Sequence, residues 1–334
     1  MSNRVIISIL ITTYNRVAFL ETTVYRFISQ IIGSGLDDRI EIIIGNDASS
    51  DGTEVFLNQL QEKYRFIKVI NHSKNLGFSE NVEKIVAEAR GEYIWHFGDD
   101  DLITDNAVKR VLEVITNNDP NYILLNTINI ESLDNRNLNY KIIGDKRLNI
   151  NEDVFIKNFE AETDKLLKIQ NWLYLTNLLS SVACKKKLYL DCMDSAKQYA
   201  RKDNLYMWQI AIIIGISKLG RLYIVAEQLI LHRKNENNWS GSVHKILKLN
   251  LYDSSDVSRV IKKYMPREYK EYQKRFASFV FATILQAKND GGGVNKYIID
   301  ALKRNYNCYP YNLRFLAVLF FPRIVLRTYI KYLN

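Results

Sequence analysis

Over its first 130 residues the chain alternates nearly continuous apolar runs with segments of helical period, and this rhythm constrains the fold more than any other feature. The runs are "VIISILI" at 5–11, "EIIIG" at 41–45, "FIKVIN" at 66–71, "EYIWHF" at 92–97 and "YILLNTI" at 122–128. A strand without a polar face must be covered on both sides, which is the situation in a mainly parallel sheet flanked by helices. The intervening "VAFLETTVYRFISQI", "DGTEVFLNQLQEKY", "SENVEKIVAEAR" and "TDNAVKRVLEVITN" supply those helices, with Thr104 read as an N-cap. An α/β nucleotide-binding fold is the expectation for this part.

Beyond residue 130 the rhythm loosens. "LLSSVACKKKLYLD" reads as a strand running into a helix, "KDNLYMWQIAIIIGIS" as an apolar helix and "RLYIVAEQLILHR" as a strand. From about residue 243 the chain reads as helical, broken by "NDGGG" and Pro310. The domains expected are residues 1–240 and a helical C-terminal region, 241–334. Three cysteines form neither a disulfide framework nor a zinc cluster, which fits a reducing cytoplasm. The first apolar run is too short for a spanning helix and reads as a strand.

In open parallel sheets, ligands bind outside the carboxyl ends of the strands. Three polar clusters fall there. The first strand exits into Thr12, Thr13, Tyr14, Asn15 and Arg16, and the second into Asn46, Asp47, Ala48, Ser49, Ser50 and Asp51. The fourth exits into Asp99, Asp100 and Asp101. Adjacent carboxylates repel, and a hard divalent cation with oxygen ligands, Mg²⁺ or Mn²⁺, removes that cost. Such a cation takes one or two protein carboxylates and completes its shell with water and phosphate. The competing explanation is an acidic helix N-terminus, "DDDLITDNAV".

"SILITTYNR" at 8–16, "EIIIGNDASSDGT" at 41–53, "NLGFSEN" at 75–81 and "GEYIWHFGDDDL" at 91–102 resemble, in order and spacing, the GT-A glycosyltransferases of the family 2 type. The resemblance implies a GT-A fold and a nucleotide-sugar donor pocket lined by Thr12, Tyr14, Asp47 and Asp99. It implies Mn²⁺ or Mg²⁺ on Asp100 and Asp101. "ARKDNLYMWQI" resembles the segment that supplies the general base, making Asp203 the catalytic candidate, with Lys202 where relatives carry Glu. The other reading of Asp203 is a helix cap. "LHRKNENNWSG" resembles the loop over the donor phosphates, with Arg233 and His232 as candidates. Gly98 stands where relatives commonly have Asp. Glu80 stands where many have an arginine, so that helix offers no basic phosphate clamp.

After Asp300 the chain has no acidic residue, while Lys303, Arg304, Arg314, Arg323, Arg327 and Lys331 are basic. The last three share a helical face among aromatics, which suits a helix at an anionic membrane surface or one docked on the catalytic domain. No nucleic-acid-binding signature accompanies this charge. The expected protein is a cytoplasmic, membrane-peripheral glycosyltransferase that moves a sugar to a glycan or lipid-linked glycan, with cell-surface polysaccharide synthesis as its setting. The alternatives are a catalytically silent nucleotide- or glycan-binding protein and a sugar nucleotidyltransferase. The latter wants a glycine-rich first loop, and "TTYNRVAFL" has no glycine.

Overall fold

The computed structural model describes residues 4–132, 140–144, 147–200, 204, 206–233, 254–270 and 272. Four parallel strands form the half of the sheet that carries the polar rim: β1 (Ile7–Thr13), β2 (Ile40–Asn46), β3 (Ile67–Asn71) and β4 (Tyr93–Gly98). Their order is β3-β2-β1-β4, so β1 is flanked by the two strands that end in acidic clusters. Register fixes the rim: Thr12 pairs with Gly45 on one side and Gly98 on the other.

One face of this half packs against α1 (Val17–Gly33), α2 (Thr53–Lys63) and α4 (Ala107–Asn118), through a core that includes Ile9, Ile11, Phe27, Ile44, Trp95 and Phe97. Phe27, Trp95 and Phe97 meet edge to face, with centroids 4.8–5.7 Å apart, the arrangement ring quadrupoles favour. The opposite face receives α3 (Phe78–Glu88). There Asn81 donates to the Gly45 carbonyl at 2.9 Å, and a Cβ on Gly45 would lie 2.0 Å from the Asn81 amide oxygen. Glycine is what lets α3 approach β2 this closely.

The other half of the sheet is mixed. It contains β5 (Leu102–Ile103), β6 (Tyr122–Ser132), β7 (Tyr140–Ile142), β8 (Val154–Ile156), β9 (Val182–Lys185) and β10 (Leu222–Arg233). β9 runs antiparallel between β4 and β6, and β10 lies parallel to β6 and antiparallel to β5 and β8. Register shifts at Val225/Gln228 and Gln228/Ile230 interrupt the β10–β6 ladder. Bulges of this kind bend a strand locally. Four helices complete the described connections: α5 (Phe159–Leu167), α6 (Trp172–Leu175), α7 (Lys186–Ala196) and α8 (Met207–Leu219).

Thr104 does not cap α4. Its backbone N–H donates to the Leu229 carbonyl at 3.0 Å, extending the contact of β5 with β10. The start of α4 is served from α1, where Gln30 accepts from the Val108 N–H at 3.1 Å. A cap supplied from another helix leaves no local sequence mark. β5, at two residues, was equally invisible within "DDDLI".

The chain divides into two compact units, Met1–Ser195 with Ala211–Asn235, and Ala196–Ile210 with Glu236–Asn334. In the second, α9 (Ser254–Tyr264) places Asp256 to accept from Asn204 at 2.7 Å. The boundary expected at 240, the glycine-rich break and the basic C-terminal segment lie outside the described residues. Among the described residues, no helix is long and apolar enough to cross a membrane.

Candidate active site

The three aspartates follow β4 directly, and β5 separates them from α4 by several residues. The first turn of α4 contains no acidic residue, so the triplet is not a helix N-terminus. Its backbone is held by Thr23 of α1, whose hydroxyl lies 3.0 Å from the Asp99 carbonyl and 2.8 Å from that of Asp101. One hydroxyl proton is shared between these acceptors.

The side chains meet three different environments. Asp99 accepts from the Thr13 hydroxyl at 2.8 Å and from Arg16 Nη1 at 2.7 Å. Asp101 accepts from Ser180 Oγ at 2.5 Å on one oxygen, and from the Arg233 N–H at 3.2 Å on the other. His232 Nδ1 lies 2.9 Å from that second oxygen. Asp100 is the most open, at 15% side-chain exposure against 7% for each neighbour, and its ion-pair partner is Arg16 Nη1 at 3.2 Å.

The electrostatics follow these partners. Burial, reinforced by the Asp101 and Asp99 charges, pushes Asp100 up to about 7. Burial also raises Asp99, more than Arg16 and Thr13 lower it. For Asp101 burial acts in the same direction, but His232, Ser180 and the Arg233 N–H outweigh it and hold the group below the usual carboxylate range. One carboxylate of the triplet is therefore both accessible and poorly compensated.

Gly98 gives the triplet room. A Cβ there would stand 3.2 Å from Asp100 Oδ1, 3.3 Å from Asp101 Oδ2 and 3.4 Å from Ser180 Oγ. The Gly98 N–H also donates to Ser180 Oγ at 2.9 Å. An aspartate at 98 would crowd a fourth carboxylate against the same oxygens.

Two guanidinium groups flank the acids through one aromatic ring. Arg16 lies 5.6 Å and Arg233 5.3 Å from the Phe19 centroid, within cation–π range. Arg233 is 1% exposed, and its Nε and Nη1 have no hydrogen-bond partner among the described residues. A buried guanidinium with unsatisfied donors is costly by itself. Here it lies in the field of Asp100, Asp101 and Asp99.

Asp47 follows β2 and is 4% exposed. Its Oδ1 accepts from the Leu76 N–H at 2.6 Å and its Oδ2 from the Gly77 N–H at 3.0 Å, tying the β2 exit to the start of α3. The first two exit loops are also joined. Asn15 Oδ1 accepts from the Ser50 N–H at 2.7 Å, and Asp51 accepts from the Val17 N–H at 3.0 Å and the Thr53 N–H at 3.2 Å. Asp51 thus serves the N-termini of α1 and α2 together. Tyr14 projects from the first loop at 48% exposure, and Thr12 is half-buried beside it.

The structure brings Asp99, Asp100, Asp101, His232 and Arg233 into one cluster. Asp47 is joined to it through β1: its N–H donates to the Thr13 carbonyl at 3.0 Å, and the Thr13 hydroxyl bonds Asp99. Asp203 lies outside the described residues. Sequence reasoning missed Arg16, Thr23 and Ser180 as members of this network. Arg16 was visible in the first exit loop, whereas Thr23 sits inside a helix and Ser180 in a short turn before β9, where nothing marks them.

The donor set suits a hard divalent ion. Asp100 offers the most exposed carboxylate of the three, in a site where burial and then the Asp101 and Asp99 charges already raise its proton affinity. Among the described residues, no group of three or more His, Cys, Asp or Glu side chains could hold a metal alone. Mg²⁺ and Mn²⁺ sites that share the ion with substrate phosphates need only one or two protein carboxylates.

Residues 8–176, about half of the chain, match the model of the family described as glycosyl transferase family 2. The chain belongs to this family. Among curated relatives of this family 2 chain, abequosyltransferase RfbV of Salmonella typhimurium is 36% identical over 104 residues, 31% of this chain and 30% of that protein. A cholesterol galactosyltransferase of Borreliella burgdorferi is 32% identical over 111 residues, 33% and 28% of the respective lengths. The matched segments thus span under a third of either relative. Solved structures extend the likeness in fold. S. aureus TarS 1–349 superposes with a TM-score of 0.55 at 13% identity, covering 91% of this chain and 83% of that one. Mannosyltransferase PcManGT from Pyrobaculum calidifontis, in complex with GDP-Man and Mn²⁺, gives 0.52 at 10% identity, covering 92% and 81%. The fold is GT-A.

Proposed function

We propose that this family 2 chain transfers a sugar from a nucleoside-diphosphate sugar to a hydroxyl of a glycan or lipid-linked glycan, with a divalent cation and with inversion at the anomeric carbon. The observation that carries the reading is the sorting of the triplet. Asp99 and Asp101 are engaged by protein donors, while Asp100 stays accessible and under-compensated at the end of β4. Asp100 would hold the cation, with Asp101 beside it. Arg233 brings unsatisfied N–H donors to the same place, suited to phosphate oxygen. Thr12, Tyr14 and Asp47 would receive the nucleoside: Tyr14 offers an exposed ring for stacking, and Asp47 keeps lone pairs beyond the two amides it accepts.

A bound Mn²⁺ or Mg²⁺ supplies Lewis-acid stabilisation of the departing diphosphate. Asp203 takes the proton from the acceptor hydroxyl as its oxygen bonds the anomeric carbon and the bond from that carbon to the phosphate oxygen breaks. The nucleoside diphosphate leaves with that electron pair. Relatives named for abequose and galactose transfer support sugar transfer as a class, and the GDP-Man and Mn²⁺ of a structural neighbour support the donor class and the ion. The one-signed charge of residues 301–334 supports a peripheral place at an anionic membrane surface.

The test is a thermal-shift panel of UDP, GDP, dTDP and CDP sugars with and without Mn²⁺, since a ligand that binds the native state raises its apparent stability. One donor class should stabilise the protein only with the ion present. No shift with any nucleotide would overturn the reading.

A further inference from the structure

We propose that Arg16 is the internal counter-cation of the aspartate triplet, competing with the divalent ion for Asp100 and thereby coupling ion binding to nucleoside-diphosphate binding. The proposal rests on the donor reading above. Its geometric basis is one nitrogen: Arg16 Nη1 lies 2.7 Å from Asp99 Oδ1 and 3.2 Å from Asp100 Oδ2. A guanidinium usually forks two N–H groups onto one carboxylate. Here one atom stands between two acids, as a bound cation does when it bridges carboxylates.

The three acids differ in what they keep if Arg16 moves. Asp99 retains the Thr13 hydroxyl, and Asp101 is satisfied by Ser180, the Arg233 N–H and His232 without help from Arg16. Asp100 has Arg16 as its ion-pair partner among the described residues. A divalent ion arriving at Asp100 therefore meets a positive charge already placed on that oxygen. Like charges this close repel, and burial keeps water from screening them.

The Arg16 side chain is 14% exposed and sits on a ring that the buried Arg233 also faces, so two guanidinium groups share Phe19. Once Asp100 is taken by the ion, repulsion from both the ion and Arg233 favours an outward position. In the proposed reaction the anion arriving there is the donor's diphosphate. Arg16 then opposes the ion alone and assists the ion with nucleotide. The chain thus supplies from the β1 exit the basic group that Glu80 denies it on α3. Binding linkage is reciprocal, so the ion must tighten nucleotide binding by the same factor as the nucleotide tightens ion binding.

The experiment titrates Mn²⁺ into the full chain by calorimetry, alone and with the nucleoside diphosphate that the donor panel selects. Wild type is compared with Arg16→Met, and circular dichroism checks the fold. Arg16→Met should bind Mn²⁺ alone about fivefold or more tighter than wild type, within the usual range of coupling between sites. The nucleotide's enhancement of Mn²⁺ affinity should shrink by the same factor. Should Arg16→Met fail to fold, Arg16→Gln, which keeps N–H donors for Asp99 while removing the charge, is judged by the same criterion. Unchanged or weaker Mn²⁺ binding in the folded variant would overturn the proposal and make Arg16 an organiser of the acids. Wild type that binds no nucleotide with Mn²⁺ would instead overturn the donor reading itself.

Discussion

His232 Nδ1 lies 2.9 Å from Asp101 Oδ1, joining the end of β10 to the end of β4 across 131 residues of sequence. Arg233 donates its backbone N–H to the same oxygen, so the last two residues of β10 deliver both a ring and a guanidinium to the triplet. Asp101 is thereby the joint that connects the mixed half of the sheet to the parallel half. His232→Ala should cost about 1.5–3 kcal/mol, the range for a hydrogen bond to a charged group. Urea denaturation measures it. A loss near zero would mean that Ser180 and the Arg233 N–H satisfy Asp101 unaided.

Asp51 holds the starts of two helices, so its replacement should act on both. Asp51→Ala should lose about 0.5–2 kcal/mol, as for a capping residue. The pH dependence has a definite sign. Burial would raise Asp51, but the Thr53 and Val17 hydrogen bonds win and hold it below its ordinary value. Its contribution is therefore fully present above the unfolded value of ~3.9 and is lost as pH falls through the lower folded value. Asp51→Asn should flatten that acid limb in thermal melts taken down the pH scale. An unaltered limb would remove Asp51 from the account of acid stability.

Much of this architecture was legible because parallel strands buried on both faces declare themselves as apolar runs, and their ends as polar clusters. The register that places Thr12 between Gly45 and Gly98 follows from pairing those runs. What stayed hidden depends on partners far away in sequence. Thr23 looks like any helical threonine until its hydroxyl is found beneath the Asp99 and Asp101 carbonyls. Thr104 looked like a cap because nothing in "TDNAV" reveals that Gln30 reaches across from α1. Asp47 stood out as polar at a strand end, yet the sequence carried no sign that its oxygens take the Leu76 and Gly77 amides.

Gly98→Asp tests the crowding argument. The added carboxylate would enter a space already within 3.2–3.4 Å of two acids and a hydroxyl. The melting temperature should fall without a divalent ion, and Mn²⁺ should restore more of it than it adds to wild type, because the ion relieves the repulsion. An equal Mn²⁺ shift in both proteins would show that position 98 does not sense the ion.

The role proposed for Asp203 is separable from folding. An aspartate of ordinary pKa, ~3.9, is ionised at neutral pH and can accept the acceptor's proton. Asp203→Asn keeps shape and capping ability, so donor binding should survive while turnover at saturating donor and acceptor falls about 10²–10⁴-fold. NMR of the product should show an inverted anomeric centre. Near-normal turnover, or retained configuration, would leave Asp203 as a cap.

The central claim is that Asp100 anchors a cation shared with the donor diphosphate, and calorimetric titration of the panel-selected nucleoside diphosphate with Mn²⁺ tests it most directly. Asp100→Asn removes one of three crowded charges while preserving shape, so the thermal midpoint should hold or rise. Wild type should bind the nucleotide only when Mn²⁺ is present, and Asp100→Asn should lose that dependence together with most of the affinity. Equal affinity and equal Mn²⁺ dependence in the two proteins would contradict the account.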